Sequence, residues 1–240
     1  MPGVIMNIPS QSMEIESIYT GILESKCRSV AITSANAGEG VSSLAISLTQ
    51  RNLLAGRSTL LVDLNLYHPS LLPSFLTENL RDQALLHSPQ LVSDNNERMS
   101  VIGVIAPNDR AAILKLRKPG VLETCLEQWY LQYDTVIIDT SPLNHLNQHN
   151  IPAERVAAAC DACLMVVLAG RTRESMVSAA IDKLNYTGAN LVGCVINDRD
   201  NPSLKSELLR ESIRLEPRFT KISLFLRSWI NSSSFFSLEM

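Results

Sequence analysis

The sequence predicts an α/β fold of three layers, in which a mostly parallel sheet carries helices on both faces. Short apolar runs, such as residues 29–33 and 135–139, alternate with longer segments whose apolar residues recur at helical spacing. Continuous apolar strands are typical of a parallel sheet that is buried on both faces. A chain of 240 residues with 45% hydrophobic content is long enough to form one such domain with a full core.

The expected elements follow one another in the order of an alternating fold. They are a helix over 12–24, a strand over 29–33, a helix ending near 55, strands over 58–63 and 100–105, helices over 109–117 and 120–131, strands over 135–139 and 163–169, a helix over 173–184 and a strand over 190–197. Residues 70–97 are polar and irregular, and we assign them no element. We expect an N-terminal arm and helix over 1–27, the main domain over 28–217, and a C-terminal helix and tail over 218–240.

The composition limits the classes of partner and the cellular compartment that we expect for this protein. A net charge of −3 lacks the concentrated positive charge that nucleic acid requires, so we expect no nucleic-acid binding. Five cysteines without a regular framework fit a reducing compartment, and the N-terminus shows no signal-peptide pattern. No apolar run approaches the roughly 20 residues that cross a bilayer. We therefore expect a cytoplasmic protein that is at most peripheral at the inner face of a membrane.

A glycine-rich loop joins the first predicted strand to the helix after it. Residues 34–43 read S-A-N-A-G-E-G-V-S-S, and Gly38 and Gly40 allow a tight turn. Such a loop turns backbone N–H groups inward, and the helix N-terminus adds partial positive charge. The segment therefore predicts a phosphate cradle. The expected nucleotide contacts are Gly38, Glu39, Gly40, Val41, Ser42, Ser43 and Asn197.

The loop departs from the usual phosphate-binding pattern G-x-x-x-x-G-K-[ST]. Ala35 stands at the first glycine and Val41 stands at the lysine, whereas Ser42 keeps the terminal hydroxyl. The loop has therefore lost the ammonium group that should reach the β- and γ-phosphates of a nucleotide.

Two aspartates end predicted strands on the ligand side of the sheet. Asp63 ends the second core strand and Asp139 the third, and the carboxyl ends of parallel strands meet at one edge. Mg²⁺ takes oxygen ligands and keeps several waters. Ser42 could supply one oxygen, while Asp63 and Asp139 could hold metal-bound waters or orient an attacking water. The alternative is that both acids are structural strand-end caps. Asn197 could likewise read a nucleobase or simply end the last strand.

These motifs together resemble bacterial tyrosine kinases of capsule and exopolysaccharide synthesis. The glycine loop is followed in order by V-D-L-N-L-Y-H-P-S-L, Y-D-T-V-I-I-D-T-S-P-L, A-G-R-T-R and L-V-G-C-V-I-N. Those kinases belong to the deviant P-loop ATPases, which include septum-site and plasmid-partition proteins. The resemblance covers about residues 12–200. It implies a P-loop NTPase fold, ATP or ADP with Mg²⁺, and a membrane-embedded chain-length or export protein as partner.

The resemblance is incomplete at the residues that carry chemistry. The family loop usually reads P-G-E-G-K-S, and the partition proteins add an early lysine whose place Asn36 holds. In the acidic motif D-x-D-x-R-x-P, Asn65 replaces the second aspartate and Tyr67 replaces the arginine. Ser141 departs from the motif D-T-P-P. The catalytic machinery is therefore expected to be degraded.

Assembly features also depart from the family. The ring-building motif E-x-x-R-x-x-R is reduced to Glu16, followed by Tyr19 and Ile22, and no tyrosine comes after Tyr186. Residues 218–230 have amphipathic spacing that suits a membrane surface, a partner or packing on the domain. The sequence leaves open whether the chain forms a homo-oligomer.

Three functions are consistent with these features. The first is a regulatory or assembly partner with impaired catalysis. The second is an active ATPase or autokinase that receives a cation from Arg171 or Arg173, for example across a dimer. The third is a positioning ATPase that cycles on the membrane through residues 218–230.

Overall fold

In a computed structural model of the chain, the structure describes residues 8–23, 27–73, 86, 88–94, 100–145, 150–199, 212, 228 and 230. The chain divides into two compact units, residues 1–168 with 172–197 and residues 169–171 with 198–240. The first unit contains all the numbered elements. In the second unit Ser212 and Ile230 are buried. Apart from Ser228 and Ile230, the predicted helix over 218–230 and the tail lie outside the described residues.

The described strands of the first unit form one sheet. They are β1 (Ser29–Ser34), β2 (Thr59–Leu64), β3 (Leu71–Pro73), β4 (Gln90–Asp94), β5 (Ser100–Val104), β6 (Thr135–Thr140), β7 (Ala162–Leu168) and β8 (Leu191–Asn197). Their order across the sheet is β3-β4-β5-β2-β6-β1-β7-β8. Strands β5, β2, β6, β1, β7 and β8 pair in parallel, and β3 and β4 pair antiparallel at one edge. The mostly parallel sheet is therefore confirmed.

Helices cover both faces of this sheet. They are α1 (Met13–Ile18), which continues as a π-helical turn over Tyr19–Leu23, then α2 (Val41–Leu54), α3 (Arg110–Leu116), α4 (Val121–Trp129), α5 (Ala153–Ala159) and α6 (Glu174–Thr187). Apolar residues of α1 and α2 form one core cluster with one face of the strands. Apolar residues of α3 to α6 form a second cluster with the other face. This confirms the three layers. None of the helices in the described segments has the length and apolar character that a membrane crossing requires.

Two regions differ from the sequence prediction. The segment over 70–97, to which no element was assigned, contains β3 and β4. These strands are short and pair antiparallel at an edge, and their burial is uneven: Val92 and Ser93 are buried, whereas Leu91 is 38% exposed. Helix α5 was also missed, because its sequence A-E-R-V-A-A-A has only one large apolar residue and shows no amphipathic repeat.

Candidate functional site

The glycine loop lies between β1 and α2 and has the shape of a phosphate cradle. Gly40 adopts a φ of 104°, in the left-handed region that favours glycine. A Cβ atom at this position would lie 2.5 Å from the Asn197 side-chain nitrogen. Gly40 also offers no side-chain cap to α2, so the first N–H groups of the helix face the loop without a capping side chain. The local backbone therefore suits an anion.

Glu39 holds the loop from within. Its carboxylate is 2% exposed and accepts hydrogen bonds from the Ala35 N–H at 3.0 Å and from the Asn36 side-chain amide at 3.0 Å. The Thr172 hydroxyl donates to the same carboxylate. The carboxylate of Glu39 thus contacts the loop itself, and the nucleotide contact that the sequence predicts for Glu39 stays a prediction. Sequence reasoning missed Thr172, because the contact joins residues 133 apart in the chain and no local motif announces it.

Asn197 ends β8 and contacts the same loop. Its side-chain amide donates a hydrogen bond to the Glu39 carbonyl at 2.8 Å. This contact explains why residue 40 must lack a side chain. The base-reading role of Asn197 stays a prediction.

The three residues that open α2 have different surroundings. Val41 is 7% exposed and packs in the core cluster of α1 and α2. Ser42 is half-buried and lies close enough to Asp139 to influence the pKa of that carboxyl. Ser43 is buried, and its carbonyl accepts a hydrogen bond from the Ser47 hydroxyl at 2.8 Å. Position 41 therefore contributes packing and no charge to the cradle.

Asp63 is fully buried at the end of β2, and its carboxylate binds the loop after the strand. One oxygen accepts the Asn65 N–H at 2.9 Å. The other accepts the Ser70 N–H at 2.7 Å and the Leu71 N–H at 3.1 Å. Burial raises the pKa of Asp63, and these backbone donors oppose that rise. Both oxygens are therefore engaged in folding the chain back towards β3.

Asp139 lies directly opposite Asp63 in the β2–β6 register. Its Oδ2 accepts the Ser70 hydroxyl at 3.2 Å, whereas its Oδ1 is buried with no hydrogen-bond donor among the described residues. Burial, followed by the negative charge of Asp63, raises the pKa of Asp139 well above its usual value; the side chains of Ser42, Ser70 and Asn65 oppose the rise. A buried oxygen without a donor is suited to a proton or a cation.

No basic side chain neutralises these two acids within the described segments. The ion pair found there joins Arg51 to Glu16, with nitrogen–oxygen distances of 2.5 and 2.8 Å. Arg51 also lies 4.0 Å above the Tyr19 ring. Glu16, the residue retained from the ring-building motif, is therefore bound within its own chain.

The structure places the two arginine candidates differently. Arg173 is exposed immediately before α6, next to the Thr172 that contacts Glu39. Arg171 lies in the second unit.

A lysine also fixes the loop after β6. Lys183 of α6 donates to the Leu143 carbonyl at 2.6 Å and to the Asn144 side-chain oxygen at 3.3 Å. Asn144 in turn donates to the Met176 carbonyl at 3.0 Å. Sequence reasoning missed this tether, which positions the chain shortly after Asp139.

The oxygens around Asp139 meet the needs of Mg²⁺. Among the described residues there is no group of three or more His, Cys, Asp and Glu side chains suited to a metal. Mg²⁺ needs few protein ligands, however, because it keeps several waters. The uncompensated Asp139 Oδ1 and the neighbouring Ser42 hydroxyl are oxygens of the kind it binds. The residues present therefore fit this ion.

No family model matches the chain. It is 29% identical over 185 residues to the tyrosine-protein kinase CpsD of Streptococcus pneumoniae serotype 4. That alignment covers 73% of this chain and 78% of CpsD. It is also 26% identical over 201 residues to the tyrosine-protein kinase YwqD of Bacillus subtilis. That alignment covers 78% of this chain and 81% of YwqD.

Solved structures share the fold. The chimerical protein CapA2B2 superposes with a TM-score of 0.58 at 23% identity, over 82% of this chain and 93% of that chain. The kinase domain of the Escherichia coli tyrosine kinase ETK gives a TM-score of 0.55 at 19% identity, over 76% of this chain and 72% of that chain. At these identities the likeness confirms the α/β architecture alone.

Proposed function

We propose that this chain is a kinase-like regulatory or assembly protein with impaired catalysis. The proposal starts from its resemblance to bacterial tyrosine kinases, which its relatives confirm. The protein would regulate or assist exopolysaccharide or capsule assembly at the cytoplasmic face of the membrane. A membrane-embedded chain-length or export protein would be its partner. The observation that carries the proposal is Val41, an apolar core residue at the position where the loop pattern requires a phosphate-binding lysine.

The missing lysine should weaken phosphoryl transfer more than binding. A hydrogen bond to a charged group contributes about 1.5–3 kcal/mol, so nucleotide affinity should fall by about one to two orders of magnitude. The transition state should lose more, because phosphoryl transfer depends on positioning and on stabilisation of developing charge. Asn65, which replaces the second carboxylate of the acidic motif, supplies no charge either.

Several features support retained binding of ATP or ADP with Mg²⁺. The loop has kept its glycine at position 40, and α2 directs N–H groups towards it without a capping side chain. Ser42 and Asp139 would hold Mg²⁺, which when bound supplies positive charge to the β- and γ-phosphates. The role of the chain itself is to fix the loop, through Glu39 and Asn197, and to hold the Asp139 carboxyl group near the Ser42 hydroxyl.

An active ATPase or autokinase is the second candidate. The contact between Thr172 and Glu39 favours it, because Arg173 is the next residue and is exposed. An arginine at that place could supply a cation in place of the lysine. Its guanidinium would then contribute to turnover and not to the fold.

Isothermal titration with ATP and ADP, with and without Mg²⁺, tests the proposal on wild type beside Val41→Lys. Val41→Met is the matched control, since it lengthens the same side chain without adding charge. We expect Val41→Lys to bind at least about tenfold more tightly than either of the other two proteins. Micromolar binding and steady turnover by wild type, abolished in Arg173→Ala, would instead establish the second candidate.

A further inference from the structure

A cavity of about 290 Å³ lies on the helical layer formed by α3 to α6, and none of its lining residues belongs to the glycine loop or to the two acidic strand ends. Its lining comes from the end of α3, the α3–α4 connection, α4, Ile151 ahead of α5, α5 itself and the end of α6. Part of that lining is apolar: Leu122, Ile151 and Val156 are all buried core residues. The cavity therefore offers a floor to a ring or a short alkyl group.

Three basic side chains line the same cavity. They are Arg117 and Lys118 of the α3–α4 connection and Arg155 of α5, against a single lining carboxylate, Glu123. Arg117 is held in place, because its guanidinium donates to the Asn150 carbonyl at 2.6 Å. Lys118 and Arg155 are exposed and form no ion pair within the described part of the chain. This local excess of positive charge occurs in a protein whose net charge is −3.

Two further groups suit a phosphorylated ring. Helix α4 is nine residues long and begins after Gly120, which provides no side-chain cap. The first turn of this helix borders the cavity through Leu122 and Glu123, and a helix N-terminus carries partial positive charge. Tyr186, which is 92% exposed, contributes an aromatic side chain to the lining.

We propose that this cavity binds an aryl phosphate. The ring lies on the apolar floor, and the phosphate dianion accepts hydrogen bonds from Arg155, Lys118 and Arg117. A guanidinium binds phosphate oxygens in pairs, and an ammonium group adds a point charge. The same chemistry occurs in a free aryl phosphate and in a phosphorylated tyrosine side chain. The proposal does not depend on a functional nucleotide site.

The test uses the full chain without nucleotide, at low ionic strength, titrated with phenyl phosphate and followed by calorimetry and by NMR. We expect saturable binding to one site, with inorganic phosphate and phenol at least about tenfold weaker because each lacks one half of the ligand. Arg155→Gln and Lys118→Gln should each weaken phenyl phosphate about tenfold. Lys115→Gln is the matched control: this exposed lysine of α3 does not line the cavity, and its loss should leave the affinity unchanged.

Four outcomes would overturn the proposal. They are no saturable binding, equal affinity for inorganic and phenyl phosphate, an equal loss in Lys115→Gln, and displacement of phenyl phosphate by ATP, which would assign the binding to the glycine loop. Val41→Lys should bind phenyl phosphate with the same affinity as wild type. This result distinguishes the present test from that of the proposed function, in which the same variant changes nucleotide affinity. A phosphotyrosine peptide that binds more tightly than phenyl phosphate would identify a protein as the source of the ligand, and equal affinity would identify a free small molecule.

Discussion

Asp63 and Asp139 stand side by side at the ends of adjacent strands, yet their carboxylates have different surroundings. Asp63 accepts three backbone N–H groups from residues 65, 70 and 71. Asp139 accepts no backbone N–H group: its Oδ2 accepts the Ser70 hydroxyl, the side chains of Ser42 and Asn65 also lower its pKa, and its Oδ1 is buried with no donor at hydrogen-bond distance among the described residues. The first carboxylate is a structural anchor for a loop, whereas the second has capacity left for a proton or a cation.

The difference arises from the path that the chain takes after each strand. After Asp63 the chain makes a short loop and returns as Ser70 and Leu71, so its N–H groups reach the carboxylate it has just passed. After Asp139 the next residue, Thr140, directs its hydroxyl to the Ile32 carbonyl of the neighbouring strand. The loop after β2 therefore uses the Asp63 oxygens, whereas the chain after β6 leaves the Asp139 Oδ1 without a donor among the described residues.

Alanine substitutions should give the largest contrast. Asp63→Ala leaves three buried N–H groups without an acceptor, and we expect it to lower the free energy of unfolding by about 3–5 kcal/mol. Asp139→Ala removes a carboxyl group that is costly to ionise, and we expect a change below about 1 kcal/mol. Urea unfolding of both variants measures the difference. Equal losses would show that the two acids have the same role.

The second-largest effect that we expect is on the pH dependence of stability, through Asp139. Because the folded pKa of Asp139 is raised above its ordinary value of 3.8, the folded state holds this proton more tightly than the unfolded state. The contribution of Asp139 to stability is therefore fully present below that ordinary value and is lost as the pH rises through the folded pKa, with a slope of at most about 1.4 kcal/mol per pH unit.

Asp139→Asn should remove this loss. We expect the variant to gain stability relative to wild type from acidic to neutral pH, as measured by urea midpoints at several pH values. Parallel pH profiles for the two proteins would contradict a raised pKa at Asp139.

Removal of the hydroxyl between the two acids should have a small effect. The Ser70 hydroxyl lies 3.2 Å from Asp139 and 3.4 Å from Asp63, so Ser70→Ala should cost about 1 kcal/mol. Ser141→Ala is the control, because the buried Ser141 hydroxyl has no hydrogen-bond partner in the described part of the chain. Its removal should be neutral or slightly stabilising. A Ser70→Ala variant as stable as Ser141→Ala would show that the shared hydroxyl contributes nothing.

The sequence predicted the central sheet well, because its strands are buried on both faces and therefore read as continuous apolar runs. Residues 135–139 and 163–169 were placed to within one residue of β6 and β7. It failed at the edge formed by β3 and β4, where the strands are only three and five residues long and β4 carries the polar residues Gln90, Ser93 and Asp94. It also failed at α5, where small alanines pack closely without a visible repeat.

At the candidate site the sequence located the elements but not the contacts. The order of the glycine loop, Asp63 and Asp139 was sufficient to bring them to one edge of the sheet. It could not show that Glu39 would bind Thr172 or that Asp63 would bind Leu71, because those pairings depend on how loops return after the strands. One sequence signal could have indicated that Glu39 forms hydrogen bonds within the loop. It is the presence of a carboxylate in a loop that has no lysine to pair with it.

The carboxylate of Glu39 has a further consequence for ligand binding. It gathers donors from the start of the glycine loop and from Thr172, while Asn197 holds its main-chain oxygen. Internal hydrogen bonds therefore already hold the loop in one conformation, so a bound polyphosphate should lose little free energy to ordering it. The same carboxylate places a negative charge under the cradle, so this preorganised loop should favour ligands that bring their own cation.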